Sequence, residues 1–201
     1  MGCLAGSLGA MSAFSKEAVV ASISPQELVE YESQPEKIRE LISSALELTD
    51  RKLGYQFGSS SPKQGGMDCS GTVYHTLSLL GIEIPRSSRG QYDWVKEIGG
   101  VVEIDRSVTT LSDSRFSTLR PGDLLFWKGT YDQGDGGNSI SHVMIYLGTL
   151  KADGKAVIFG ASSGRRFRGK KIHGVSVFDF ALPKAGSTSR FVGFSSIPGL
   201  R

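Results

Sequence analysis

From residue 101 onward the apolar residues arrive in six short runs: Val101 to Ile104, Leu124 to Trp127, His142 to Leu147, Ala156 to Phe159, Val175 to Phe180 and Phe191 to Phe194. Runs of this length, parted by turn-forming stretches, specify strands joined by turns, hairpins included. The breaks carry the right chemistry: Pro121-Gly122-Asp123, a Gly-rich loop at 134 to 137, and Asp153-Gly154. A total of 26 glycines suits a chain with many turns.

The first third of the chain has a different period. Residues 24 to 51 read as helical. Ser24-Pro25 supplies an N-cap and a proline at the first helical position, and Glu27 completes capping-box spacing. A second helix is expected from near Pro35, with Ile38, Leu41, Ile42, Ala45 and Leu48 at helical spacing and Gly54 as its stop. After the turn-rich GSSSPKQGG, Val73, Leu77 and Leu80 share one helical face, Asp68 is a good N-cap and Gly81 is a stop. Cys69 then falls in the first helical turn. Helices first and an antiparallel sheet afterwards give an α+β fold: N-terminal helices packed on a sheet of about five or six strands.

The 201 residues suit one compact domain with a short extension, and 39% hydrophobic residues suffice for an ordinary core. A net charge of +3 gives no reason to expect nucleic acid as a partner. No stretch has the length of a transmembrane helix. The small, apolar start MGCLAGSLGAMSA resembles the end of a secretory signal, and Gly2-Cys3 resembles the end of a bacterial lipobox. Residues 1–20 are therefore expected to be a signal remnant, a lipid tether through Cys3 or a disordered terminus, with residues 21–36 a helical extension.

Two cysteines are too few for a disulfide framework, and Cys3 is too near the terminus to staple a core. Cys69 is expected to be a free thiol. A thiol attacks a carbonyl as thiolate, and a helix N-terminus or a nearby imidazolium favours that form. Of the three histidines, His142 opens an apolar strand and can be held rigidly at a cleft. His75 lies six residues after Cys69 on the same helix and points elsewhere. His173 follows a basic loop.

Five segments carry a resemblance in order: Tyr55-Gln56-Phe57-Gly58, Met67-Asp68-Cys69-Ser70-Gly71, Gly81-Ile82-Glu83-Ile84-Pro85-Arg86-Ser87-Ser88, Leu119-Arg120-Pro121-Gly122-Asp123-Leu124-Leu125-Phe126, and Ser141-His142-Val143-Met144-Ile145-Tyr146-Leu147-Gly148. They are similar to the NlpC/p60-type cell-wall cysteine peptidases of the papain-like superfamily. The resemblance implies a papain-like core, a peptidase domain over 37–195 and a tail at 196–201. It also implies peptidoglycan peptides as substrate, a bacterial cell-envelope location, and cleavage within the stem peptide between D-glutamate and the diamino acid.

The roles follow from the same resemblance. Cys69 attacks the scissile carbonyl, and His142 takes its proton and returns it to the leaving amine. Backbone N–H groups near Cys69, helped by Tyr55, hold the oxyanion. Asp68 and Ser70 match residues that many relatives use to bind a free amine; helix capping alone is the plainer role for Asp68. One departure stands out. The polar residue that orients the histidine in this family falls at Gly160, just before Ala161-Ser162-Ser163. Ser162, Asn138, His173, a backbone carbonyl or a water are the alternatives.

Arg165, Arg166, Arg168, Lys170 and Lys171 form a basic loop around Phe167, either solvated or holding substrate carboxylates. Residues 132 to 138 lack the spacing of a calcium loop and read as a flap before His142. No metal or other cofactor is expected. Besides an active endopeptidase, two readings stay open: a wall-binding or scaffolding domain that lost catalysis at Gly160, and an N-acetylmuramoyl-L-alanine amidase. An acyltransferase of the same superfamily is disfavoured because the cysteine helix precedes the histidine.

Overall fold

A computed structural model describes residues 18–200. The expectations for the terminal signal or tether, Cys3 included, lie outside these residues up to position 17. Three helices, α1 (Glu36–Asp50), α2 (Cys69–Leu79) and α3 (Ser88–Ile98), accompany ten strands. The strands are β1 (Gly54–Tyr55), β2 (Gly66–Met67), β3 (Val102–Glu103), β4 (Leu124–Lys128), β5 (Ile140–Thr149), β6 (Ala156–Ser162), β7 (Arg166–Phe167), β8 (Lys170–Lys171), β9 (Gly174–Asp179) and β10 (Arg190–Ser195). Six of them form one antiparallel sheet in the order β3-β10-β4-β5-β6-β9. All six apolar runs of the sequence are strands of this sheet, so the fold is α+β as expected.

The helices differ from expectation in two places. The capping box at Ser24 does form, with Glu27 accepting from the Ser24 N–H at 2.9 Å, but it closes only a 3-10 turn at Pro25–Glu27. The extension at 21–36 therefore holds two 3-10 turns, Pro25–Glu27 and Tyr31–Ser33, in place of an α-helix. It runs along the sheet edge, where the Val177 N–H donates to the Ala21 carbonyl and the Val29 N–H to the Thr149 carbonyl. Leu28 is fully buried there. The second difference is α3, which sequence patterning did not reveal. Ser87 caps it by accepting from the Gly90 N–H at 3.1 Å, and it buries Tyr92 and Val95. The end of the chain differs as well: Ile197 and Leu200 are buried, so 196–200 packs on the domain.

Every residue of Leu124–Trp127 and of residues 140–148 is buried. Both faces of the central strands are thus covered. The helices lie against the sheet, with Tyr92 of α3 edge-on to Phe126 at 5.2 Å. An aromatic cluster of Phe116, Phe180, Phe191 and Trp127 forms a second body of packing. Burial of apolar area on this scale, at about 25 cal/mol per Å2, is the main force holding the helices to the sheet.

Candidate active site

Cys69 is the first residue of α2, and Asp68 is its N-cap, accepting from the Gly71 N–H at 2.6 Å. The helix start is pinned to the loop before it. The Ser59 carbonyl accepts from the Asp68 N–H at 3.0 Å, and a Cβ at Gly71 would lie 2.1 Å from that carbonyl oxygen. Only glycine allows so close an approach. Cys69 is a buried free thiol.

The partner strand delivers the imidazole. His142 sits in β5 opposite Trp127 of β4, with ring centroids 5.7 Å apart. The N–H of Val143, the next residue, is turned to the Cys69 sulfur and favours its thiolate. No side-chain hydrogen bond joins Cys69 to His142 among the described residues. His142 Nε2 is sealed in protein without a hydrogen-bond partner. Nδ1 is not among the sealed, unpartnered atoms.

The electrostatics oppose the simple expectation that a helix start yields a thiolate. Burial pushes the Cys69 thiol up to about 11, the Asp68 charge adds to this, and backbone N–H groups of Val143, Ser70 and Cys69 offset only part. Burial first, and then the Arg165 cation, hold His142 well below the ordinary imidazole value. The resting pair is a neutral thiol and a neutral imidazole. Desolvation outweighs the helix dipole here because the thiol is shut away from water.

Tyr55, in β1, lines the cleft with both groups. Its phenol is held protonated by burial and by the neighbouring Cys69 and Asp68, so it is a hydrogen-bond donor at neutral pH. Ser70 Oγ accepts from Arg86 Nη1 at 3.0 Å. Asp68 is more heavily engaged than sequence suggested. It accepts from the Gly58 and Gly71 N–H groups at 2.7 and 2.6 Å and from both Arg86 nitrogens at 3.0 and 2.8 Å. An incoming ammonium would have to displace Arg86, so the free-amine role expected of Asp68 meets an occupied carboxylate.

The three side-chain alternatives to an orienter at Gly160 separate. Ser162 ends β6 and lines the His142 cleft, with no hydrogen bond to the imidazole. Asn138 donates to the Asp135 carbonyl at 2.9 Å within the flap. The His173 backbone pairs with Val19, and the residue is not among those lining the cleft. Gly160 is level with Met144, whose Cγ would lie 3.0 Å from a Cβ at position 160.

Sequence reasoning missed three neighbours. Tyr131, just before the flap, has its phenol pushed up by burial and then by Cys69 and Asp68, and packs edge-on to Phe57 at 6.0 Å. Trp127 carries the Arg165 guanidinium 4.2 Å from its ring centroid. Arg86 forks onto Asp68. The cleft falls into two lobes that share Tyr55, Phe57 and Tyr131: one of about 280 Å3 holding Cys69, Asp68 and Arg86, and one of about 570 Å3 holding His142, Trp127 and Arg165.

Comparison with known proteins gives the family of the chain. The profile of the NlpC/P60 family matches residues 52–173. The gamma-DL-glutamyl hydrolase of Bacillus subtilis is 33% identical over 126 residues, which cover 61% of this chain and 25% of that protein. The probable endopeptidase p60 of Listeria monocytogenes is 34% identical over 94 residues, covering 47% of this chain and 14% of that protein. The chain thus spans a quarter or less of these relatives. A Staphylococcus aureus protein described as similar to lipoprotein, NLP/P60 family, shares the fold, with a TM-score of 0.51 and 22% identity over 82% of this chain and 42% of that one.

Proposed function

Because the chain belongs to the NlpC/P60 family, we propose that it is a cysteine endopeptidase acting on peptidoglycan stem peptides, with Cys69 as nucleophile and His142 as base. The observation that carries this reading is the convergence of the α2 start on β5, where the Val143 N–H meets the Cys69 sulfur next to His142.

The reaction starts from the neutral pair. As the thiol attacks the scissile carbonyl, its proton passes to His142, and a C–S bond forms while the carbonyl oxygen becomes an oxyanion. Backbone N–H groups at the α2 start and the Tyr55 hydroxyl are the donors for that oxygen. Collapse breaks the C–N bond, and the leaving amine takes the proton from His142. Water, deprotonated by His142, then cleaves the thioester and restores the thiol.

The bond we favour is that between D-glutamate and the diamino acid. A relative named for glutamyl hydrolysis supports it. A substrate in the wall implies the cell envelope as the place of action. Digestion of purified wall fragments with mass analysis of the products tests the reading. Split stem peptides that disappear with Cys69→Ala are expected, and intact stems freed from glycan would identify an amidase. A second reading, a wall-binding domain without catalysis, is favoured by one observation, the unpartnered His142 Nε2 beside Gly160. Wall fragments retained but not cut by the native protein would establish it.

A further inference from the structure

Arg165 lies three residues beyond β6, at the mouth of the His142 lobe. Its backbone carbonyl accepts from the Ile172 N–H at 2.9 Å, which fixes the segment against the β7–β8 hairpin. The guanidinium covers the fully buried Trp127 ring at 4.2 Å, and that ring in turn packs on His142. Other arginines of the same loop are engaged elsewhere: Arg166 donates to the Gly169 carbonyl at 2.7 Å, and Arg168 reaches Glu27 at 3.5 Å. Among the described residues no carboxylate pairs with Arg165, and its side chain makes no hydrogen bond. The side chain is half-buried, and that burial pulls the guanidinium down to about 10. Arg165 is a half-buried cation without a counter-charge, and its guanidinium donors are bonded to no protein group at the wall of a cleft.

The lobe also has a direction. Cys69 lines one lobe and His142 the other. The leaving amine collects its proton from His142, so the residue beyond the cut extends into the lobe of Arg165. We propose that Arg165 receives a carboxylate of the residue on the leaving side of the scissile bond, and that this bound carboxylate completes the charge environment in which His142 works as base. This inference rests on the peptidase reading above.

The second half follows from what surrounds the imidazole. The titratable groups around it are Arg165, Cys69 from α2, Tyr55 from β1 and Tyr131 from just before the flap. The thiol and both phenols are held neutral through the neutral range. Arg165 is therefore the charge that His142 feels, and it disfavours the imidazolium that must form during attack. In the usual triad an acceptor beside the imidazole stabilises that ion. Here, with Gly160 at the family's acceptor position, the substrate carboxylate supplies the missing negative charge by pairing with Arg165.

The test uses peptides with one glutamyl–diamino acid bond, bearing on the leaving residue either free carboxylates or a carboxamide at its side-chain or C-terminal position. The native protein should prefer the free carboxylate by about a hundredfold in kcat/KM, the upper end of what a hydrogen bond to a charged group contributes. The arm whose amidation costs that factor identifies which carboxylate is read. Arg165→Gln should collapse the preference to within about threefold, and Arg165→Lys should keep part of it, as a charge without the fork does. Arg166→Gln should retain the native preference. The acid limb of the kcat profile, which reports the enzyme–substrate complex, should lie at higher pH for the carboxylate peptide, and this offset should vanish in Arg165→Gln. An undiminished preference in Arg165→Gln, or none in the native protein, overturns the proposal. If the native protein cuts neither peptide, the peptidase reading fails by itself. Calorimetry of the same peptides against the native protein and Arg165→Gln then decides on Arg165: an Arg165-dependent gain of tenfold or more for the carboxylate supports it, and equal affinities refute it.

Discussion

Arg86 holds both carboxylate oxygens of Asp68, Nη1 on Oδ1 at 3.0 Å and Nη2 on Oδ2 at 2.8 Å. The fork ties the segment before α3 to the start of α2, so the nucleophile's helix and the next helix are positioned together. It also neutralises a carboxylate that stands beside the Cys69 sulfur.

Arg86→Ala should destabilise the domain by about 1–3 kcal/mol. That is the penalty for leaving a charged acceptor short of donors, reduced because the Arg86 side chain is 36% exposed. Chemical denaturation measures it. Since the carboxylate is already engaged, peptides with a free and a blocked N-terminus should turn over within about threefold of each other. A loss of a hundredfold on blocking would mean that an ammonium does displace Arg86.

Gly71→Ala should be far more damaging than a helix propensity gain would suggest. The new Cβ meets the Ser59 carbonyl at 2.1 Å, and backbone on both sides must move. A loss of more than about 2 kcal/mol is expected from overpacking of this kind. A thermal melt within about a degree of the native protein's would refute the close approach.

Thiol labelling against pH tests the neutral resting pair. With the Cys69 thiol at about 11, its reaction with iodoacetamide should climb about tenfold per pH unit through pH 8 to 10 and show no plateau near neutrality. The stability consequence has a definite sign. The folded thiol titrates above its ordinary value of 9.0, so the fold holds the proton longer than the unfolded chain. Below pH 9 this group leaves stability unchanged, and stability is lost as pH rises from 9.0 towards 11. A labelling midpoint below pH 8 that depended on His142 would restore the thiolate–imidazolium picture.

These electrostatic outcomes mark where sequence patterning stops. The six strands were readable because each is an apolar run bounded by turn residues, and α2 because Asp68, Val73 and Leu77 give both cap and face. Helix α3 was not, because Gly90 stands in its first turn and only Tyr92 and Val95 mark a buried face. The Ser24 box was overread, since the motif stabilises any first turn and Pro35 begins a new helix soon after. Cys69 and His142 could be paired only through resemblance, and it is the sheet that brings Val143, the residue after His142, to the α2 start. The contacts of Arg86 with Asp68 and of Arg165 with Trp127 join residues far apart in sequence, and no local pattern announces them. Desolvation of Cys69 is likewise a property of the packed core, so the helix-start argument alone gave the wrong sign for its pKa.

The last prediction concerns Gly160. Position 160 is on β6, diagonal to His142 across the β5–β6 pair, since that register sets Phe159 against Ile145. An acceptor there would be well placed to serve the buried Nε2, which has no partner. The obstacle is modest. A Cβ at Gly160 would lie 3.0 Å from Met144 Cγ, an atom of a flexible side chain, and Gly160 does not have the positive φ that would strain another residue. Gly160→Asn should therefore fold, with a stability loss of about 1–2 kcal/mol from crowding Met144. Its amide oxygen would accept from Nε2–H, fix the tautomer that leaves Nδ1 free as base, and favour the imidazolium. Turnover should rise by about tenfold, and the acid limb of kcat/KM should move to higher pH because the hydrogen bond favours the charged ring. Gly160→Ala is the control: it brings the same Cβ and no acceptor, and should gain nothing. Equal rates for the Asn and Ala variants would mean that Nε2 is not reached from position 160, whereas a gain confined to Asn identifies the missing orienter as the step that limits the native dyad.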